Sequence, residues 1–272
     1  MDTKEITFVI VTFYSENVIY DCLDLLPKDS KKVIIENSKN LKLKISLEKK
    51  YSNLKCYLMD ENLGYGKANN VGINFSQTEF VFILNPDVRF KSSDINKFLK
   101  ILSGENFVIA APIENEELNT LSNQKKFEEV DYVKGFAMLL NKKYLNNEYF
   151  DENFFLYLEE IDLCKRLKLL NKKIYISKNI FVKHLAGKSH DPTYSEKMEI
   201  QRNWHYMWSL FYFNKKHYGL FKAYSLTIGK FISAYFKSNF YFFINKKKYL
   251  IYKHRFLGLL NSYLNKKSSF RI

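Results

Sequence analysis

Phe80-Val-Phe-Ile-Leu-Asn-Pro-Asp87 is a run of five apolar residues closed by a polar turn. An unbroken apolar run of this length reads as a strand covered on both faces rather than one lying between core and water. Pro86 disfavours helical backbone at Asn85, so the chain stays extended and delivers Asp87 at the carboxyl end of the strand. The same grammar recurs on either side: residues 6–12, 33–36, 54–59 and 107–111 are short apolar runs rich in β-branched and aromatic side chains. Amphipathic stretches of helical length separate them, at residues 17–26, 41–50, 65–75 and 93–102, the last started by a Ser92 or Ser93 cap. Buried strands alternating with helices predict an α/β domain with a mostly parallel sheet flanked by helices. Past Pro112 the pattern loosens into a polar hairpin region, residues 114–129. Beyond it, residues 132–140 read as a strand interrupted at Gly135, 157–170 as a helix and 180–184 as a strand.

Composition divides the chain in two. With 272 residues, 46% of them hydrophobic, and only 4 prolines and 9 glycines, it can bury a large core, which excludes a disordered chain. All 29 acidic residues lie at or before Glu199, together with 29 of the 43 basic ones, so residues 1–199 are formally neutral. The whole net charge of +14 sits in the last 73 residues, where 14 Lys and Arg are interleaved with Trp204, Trp208, Phe211, Tyr212, Phe240 and Phe243. Trp204, Met207, Trp208 and Phe211 recur at i, i+3, i+4, i+7, one apolar stripe of a helix. A folded domain over 1–195 and a basic, aromatic-rich helical extension over 196–272 are expected. The extension reads as an amphipathic surface on anionic lipid; the plainer reading is a helical hairpin packed on the domain with its lysines solvated. No 18-residue apolar run occurs, because Lys222, Lys230, Lys237 and Lys246 interrupt the tail, so no membrane span is expected. Basic and aromatic residues together also describe single-stranded nucleic-acid binders, but no RRM, KH or helix-turn-helix signature accompanies them, and no nucleic acid is expected as a partner. Cys22, Cys56 and Cys164 are far apart with no metal-ligand spacing, and the amino terminus has no signal-peptide apolar region, which together point to a reduced cytoplasmic protein.

Polar residues at the ends of the strands, Thr12, Glu36, Asn37, Asn62, Asn85 and Asp87, lie where open α/β sheets bind ligands, although Asn and Asp also serve ordinary turns and caps. Asn62-Leu-Gly-Tyr-Gly-Lys-Ala-Asn-Asn70 places Gly64 and Gly66 directly before a helix, whose first-turn amides can face a phosphate. A carboxylate at a strand end, Asp87, suits Mg²⁺ or Mn²⁺, which complete their shells with phosphate oxygens and water. Glu159-Glu160-Ile-Asp162 begins a helix on which Asp162 and Arg166 stand at i, i+4, the spacing of a structural ion pair. Phe154, Phe155 and Tyr157 beside the two glutamates offer a partly desolvated setting, which raises a carboxyl pKa toward that of a useful general base.

Six motifs in this order, Val9-Ile-Val-Thr-Phe-Tyr-Ser-Glu16, Asn62-Leu-Gly-Tyr-Gly66, Leu84-Asn-Pro-Asp87, Gly135-Phe-Ala-Met138, Phe150 through Leu163, and His184-x-x-Gly-x-Ser189, closely resemble family 2 glycosyltransferases of the GT-A fold, especially their rhamnosyltransferase-like branch. The resemblance spans about residues 5–215. It implies a nucleotide-sugar-dependent catalytic domain over 1–195. Thr12, Tyr14 and Glu16 would line the nucleotide end, Glu36 would stand where the family usually has an aspartate that reads the base, and Asn37, Asn62, Gly64, Gly66, Asn69 and Asn85 would complete the donor side. Asp87 matches the last carboxylate of the DxD metal motif, and His184 the histidine that approaches metal or diphosphate. Glu160 falls at the catalytic base, where Asp is commoner, with Glu159 and Asp162 beside it. Gly135, Phe136, Ala137 and Tyr157 would face the acceptor. The implied reaction is an inverting displacement that moves rhamnose or another hexose from a dTDP- or UDP-linked donor to a glycan or lipid-linked acceptor in cell-surface polysaccharide or O-antigen synthesis. It would take place at the inner face of the cytoplasmic membrane. Asn85 in place of the first DxD aspartate, together with Glu160, leaves a catalytically degenerate, membrane-associated scaffold as the alternative.

Overall fold

The computed structural model describes residues 1–114, 126–145, 148–185 and 189–271. Most of the polar hairpin region expected over 114–129, and Gly187 of the motif that starts at His184, lie outside the described residues.

The chain divides into two units, one of residues 1–63, 67–150 and 163–191, the other of 64–66, 151–162 and 192–272. In the first, β1 (Ile6–Thr12), β2 (Lys31–Glu36), β3 (Leu54–Leu58) and β4 (Phe80–Leu84) pair in parallel in the order β3-β2-β1-β4. The helices α1 (Glu16–Leu25), α2 (Leu41–Lys50) and α3 (Tyr65–Phe75) connect them. Ile6, Phe8, Val9 and Ile10 are all buried, which is why β1 lacks alternation. Phe8 stacks on Phe82 across the β1–β4 pair with ring centroids 5.5 Å apart.

Past β4 the sheet is mixed. After the short β5 (Val88–Arg89), α4 (Ser92–Leu102), β6 (Ile109–Glu114) and β7 (Phe127–Glu129), the strand β8 (Ala137–Asn141) runs antiparallel to β4, pairing Leu84 with Ala137. β6 is antiparallel to β8 and parallel to β9 (Ile174–His184), and β9 takes β5 and β7 as antiparallel neighbours. The parallel expectation thus describes the first four strands. Antiparallel pairs need no helical crossover, so the loosely patterned middle of the chain can supply them. β9 starts at Ile174, before the expected 180, because pairing with both β6 and β7 holds its partly polar first half.

Two helix starts differ from expectation. Neither Ser92 nor Ser93 caps α4; Lys91 occupies the cap position, with no side-chain hydrogen bond. α5 (Glu159–Leu169) begins two residues late, because Tyr157 and Leu158 both adopt left-handed backbone, with φ of 72° and 68°.

The second unit is dominated by α6 (Ser195–Phe242) and α7 (Lys246–Tyr263). Gly219, at φ 83° and ψ 169°, breaks α6 into residues 195–218 and 220–242. The expected stripe of Trp204, Met207, Trp208 and Phe211 is buried. Met207 and Phe211 meet Ala223, Phe231, Leu259 and Tyr263 in a small core of this unit. Among the described residues no helix is long and apolar enough to cross a membrane.

Candidate functional site

In the first unit the polar residues gather where the parallel strands end. Glu36 is fully buried, and its carboxylate is committed locally: Oε2 accepts from Thr12 Oγ1 at 2.6 Å, while Oε1 accepts from the Ser38 amide at 2.6 Å, the Ser38 hydroxyl and the Asn40 amide. The residue expected to read a base therefore shapes the loop after β2. Asn37 donates its amide to Thr12 O at 2.8 Å and accepts from the Leu63 amide at 3.4 Å. Tyr14, left-handed at φ 52°, donates to Ser38 Oγ at 3.3 Å, and its carbonyl accepts from the Asp191 amide at 2.7 Å. Ser15 donates to Ser189 O at 2.6 Å, and Glu16 accepts from Asn40 Nδ2. Thr12, Tyr14, Glu16, Glu36 and Asn37 thus belong to one hydrogen-bonded set of loops.

At the end of β4, the Asn85 amide donates to Phe136 O at 2.8 Å, and the Leu185 amide donates to Asp87 O at 3.1 Å. The second bond brings the ends of β4 and β9 together. His184 Nε2 lies 3.4 Å from Asp87 Oδ1, and Nδ1 lies 3.2 Å from Glu114 Oε1. Burial by itself would lower the His184 pKa, but the two carboxylates outweigh it and raise it above the ordinary histidine value. Phe136 stacks on the imidazole at 4.4 Å and 17°. Phe136 and Ala137, expected to face an acceptor, are instead buried, one behind His184 and the other paired with Leu84.

Asp87 is buried, yet its Oδ1 makes no hydrogen bond among the described residues; the His184 nitrogen is too distant for a well-formed one. An orphaned carboxylate oxygen beside an imidazole fits a divalent cation. Among the described residues no group of three or more His, Cys, Asp or Glu side chains is arranged to hold a metal, so a cation here would draw most of its shell from water and a ligand's phosphates.

The second unit holds the acids. Gly64 stands at φ 79°, and a Cβ there would lie 2.2 Å from Phe155 O. The Tyr65 amide donates to that same carbonyl at 2.8 Å. Gly64 is therefore required by the close approach of the acidic segment. Two successive left-handed residues, Tyr157 and Leu158, then turn the chain into α5; for non-glycine residues such backbone costs about 1–3 kcal/mol each and concentrates at functional sites. The Tyr157 ring rests edge-on against Tyr206 at 5.8 Å.

The three acids at the start of α5 meet different surroundings. Asp162 is buried, with Lys216 Nζ at 2.7 Å and His217 Nε2 at 2.8 Å from its Oδ1. Lys216 also reaches Asp151 Oδ2 at 2.7 Å, which accepts from the Tyr212 hydroxyl at 3.0 Å. Arg166 donates to the Tyr149 carbonyl. Glu159 is buried, its Oε2 makes no hydrogen bond among the described residues, and burial followed by the charge of Glu160 pushes its pKa well above the ordinary carboxylate value. Glu160 is only half-buried; desolvation raises its pKa as well, opposed by the amides of Glu160 and Ile161. Of the two glutamates, Glu160 is the one with solvent access. Beside it runs an apolar groove of about 500 Å³, lined by Leu158, Ile161, Leu210, Phe213 and Leu226, with Lys222 among its walls.

Lys216, His217 and Glu114 were missed in the sequence. Lys216 and His217 stand more than fifty positions from Asp162 within the basic tail, and no spacing rule singles them out from the neighbouring lysines.

An α/β fold of this kind, with a carboxylate and a histidine at strand ends and an acidic helix start, is that of GT-A glycosyltransferases. The mannosyltransferase PcManGT from Pyrobaculum calidifontis, in complex with GDP-Man and Mn²⁺, matches with a TM-score of 0.63 at 10% identity, covering 97% of this chain and 88% of that one. S. aureus TarS 1–349 in complex with UDP matches with a TM-score of 0.52 at 14% identity, covering 98% and 94%. At these identities the likeness is one of fold. The chain belongs to glycosyl transferase family 2, whose family model matches residues 7–176. It is similar to the low-salt glycan biosynthesis hexosyltransferase Agl10 of Haloferax volcanii and to rhamnosyltransferase WbbL of Escherichia coli K12. The first is 26% identical over 199 residues, 62% of this chain and 64% of that protein, so the match spans a little under two thirds of Agl10. The second is 22% identical over 207 residues, 61% of this chain and 78% of WbbL.

Proposed function

We propose that this chain is an inverting hexosyltransferase that moves rhamnose or another hexose from a nucleoside-diphosphate donor, dTDP- or UDP-linked, to a hydroxyl of a glycan or lipid-linked acceptor in cell-surface polysaccharide synthesis. The observation that carries the reading is the inequality among the acids of α5: Lys216 and His217 engage Asp162, Glu159 is sealed in, and Glu160 combines a raised pKa with access. Glu160 takes the acceptor hydroxyl's proton as that oxygen attacks the anomeric carbon. The bond from that carbon to the diphosphate breaks with its electron pair on the leaving oxygen, and the configuration inverts. Asp87 and His184 are the residues that would hold Mg²⁺ or Mn²⁺, which when bound supplies positive charge to the departing diphosphate. The loops tied by Thr12, Glu36 and Asn37 hold the nucleotide end. The apolar groove beside Glu160 favours an acceptor with a lipid portion, and such acceptors place the reaction at the inner face of the cytoplasmic membrane.

Thermal unfolding with UDP, dTDP and GDP, each with and without Mn²⁺ or Mg²⁺, tests the donor side. A nucleotide at about 100 times its dissociation constant stabilises by roughly 2.7 kcal/mol. The expected result is a metal-dependent shift with dTDP or UDP that Asp87→Ala abolishes. No shift with any pair would refute the donor reading and leave a degenerate scaffold in its place.

A further inference from the structure

Residues 220–242 form a helix packed inside out. The face buried in its own unit is made of small side chains, Ala223, Thr227, Ala234 and Ser238. Phe231 packs into the core, but other large apolar residues point away: Phe221 is 89% exposed and Phe236 65%, with Ile228 and Ile232 exposed between them and Phe243, 88% exposed, just past the helix end. At 100° per residue these five fall on one stripe, and no charged residue shares it. The stripe runs for roughly 30 Å at 1.5 Å per residue. Lys222, Lys230 and Lys237 are exposed along one flank, and Lys246, Lys247 and Lys248 follow at the start of α7. Ser225 and Asn239 are the polar residues on the stripe, and so much exposed aromatic and aliphatic surface along one helix marks an interaction surface.

We propose that this stripe docks in the plane of an anionic lipid bilayer, with Phe221, Phe236 and Phe243 at the boundary of headgroups and acyl chains and the flanking lysines on lipid phosphates. Charge decides between occupants. From residue 200 onward the chain has no Asp or Glu, so a second copy seated on the stripe would set lysines against lysines, whereas an anionic leaflet supplies the missing sign. Membrane crossing is not the alternative, since no described helix is long and apolar enough. The inference does not depend on the catalytic reading.

The test is flotation of the full chain with phosphatidylcholine vesicles, with and without about 30% phosphatidylglycerol, at low and high salt. Two triple variants accompany it: Phe221→Ser with Phe236→Ser and Phe243→Ser, and Lys222→Glu with Lys230→Glu and Lys237→Glu. All six side chains are exposed, so unfolding temperatures should match the wild type and a folding defect cannot mimic the result. The wild type should float with the anionic vesicles, less so at high salt. The aromatic variant should lose at least about tenfold in partitioning, and the lysine variant should lose its preference for anionic lipid. Failure of the wild type to float at low salt, or equal flotation of the aromatic variant, would overturn the proposal. So would a dimer in light scattering that the aromatic variant abolishes without any flotation; that outcome would assign the stripe to a second copy.

Discussion

Asp87 at the end of β4 and Asp162 in the first turn of α5 are both buried aspartates beside a histidine, yet they are prepared for opposite tasks. Asp162 has a lysine and a histidine within 2.8 Å of one oxygen. Asp87 has one imidazole at 3.4 Å and an oxygen that makes no hydrogen bond among the described residues. Burial alone does not tell a structural carboxylate from one kept for a ligand. The distance and number of the cations around it do: a saturated carboxylate anchors its own helix, and an under-satisfied one can accept a partner from outside.

The reactive carboxylate should stand apart from both, and that gives the largest expected effect. Glu160→Gln should lower glycosyl transfer by about 10²–10⁴-fold while leaving the nucleotide-induced thermal shift in place. Transfer at the wild-type rate would remove Glu160 from the mechanism.

The comparison itself is tested by stripping the cations from Asp162. Lys216→Ala with His217→Ala removes two cations from a buried carboxylate and should cost about 3 kcal/mol in urea unfolding, and Asp162→Asn added to it should recover much of the loss. Asp87→Ala, which removes a buried carboxylate whose Oδ1 makes no hydrogen bond among the described residues, should change stability by less than about 1 kcal/mol, because little net hydrogen bonding is lost. Equal costs at the two aspartates would break the distinction.

The smallest effect concerns Glu159. Its folded pKa is raised, so its contribution to stability is fully present below the ordinary carboxylate pKa and is lost as pH rises through the folded value. Glu159→Gln removes that loss. The variant's unfolding temperature relative to wild type should therefore increase from pH 5 to pH 8, by a few °C if about 1 kcal/mol is at stake. A flat difference across that range would mean that Glu159 titrates normally.

Much of the fold was legible in the residues themselves. The bounds of β1, β4, α2 and α3 follow from unbroken apolar runs and amphipathic stretches, because those signals are local consequences of burial. Strand direction beyond β4 was not legible. Whether β8 runs parallel or antiparallel to β4 depends on a pairing across more than fifty residues, and the apolar content of either strand is the same in both cases. At the site, the strand-end position of Asp87 followed from its sequence. The late start of α5 did not follow, because only packing holds Tyr157 and Leu158 left-handed.

What the sequence by itself determined is the alternation of strands and helices, the confinement of all excess positive charge to the tail, and the family, since composition and ordered motifs need no third dimension. Only the tertiary structure decided which acid is neutralised and which face of residues 220–242 is hidden. Lys216 and His217 are two among many basic residues until folding sets them against Asp162. Likewise, the hidden face of that helix, Ala223, Thr227, Ala234 and Ser238, is less hydrophobic than the aromatic face left exposed. Hydropathy alone would have hidden the aromatic face, and only packing assigns the small residues to the interior.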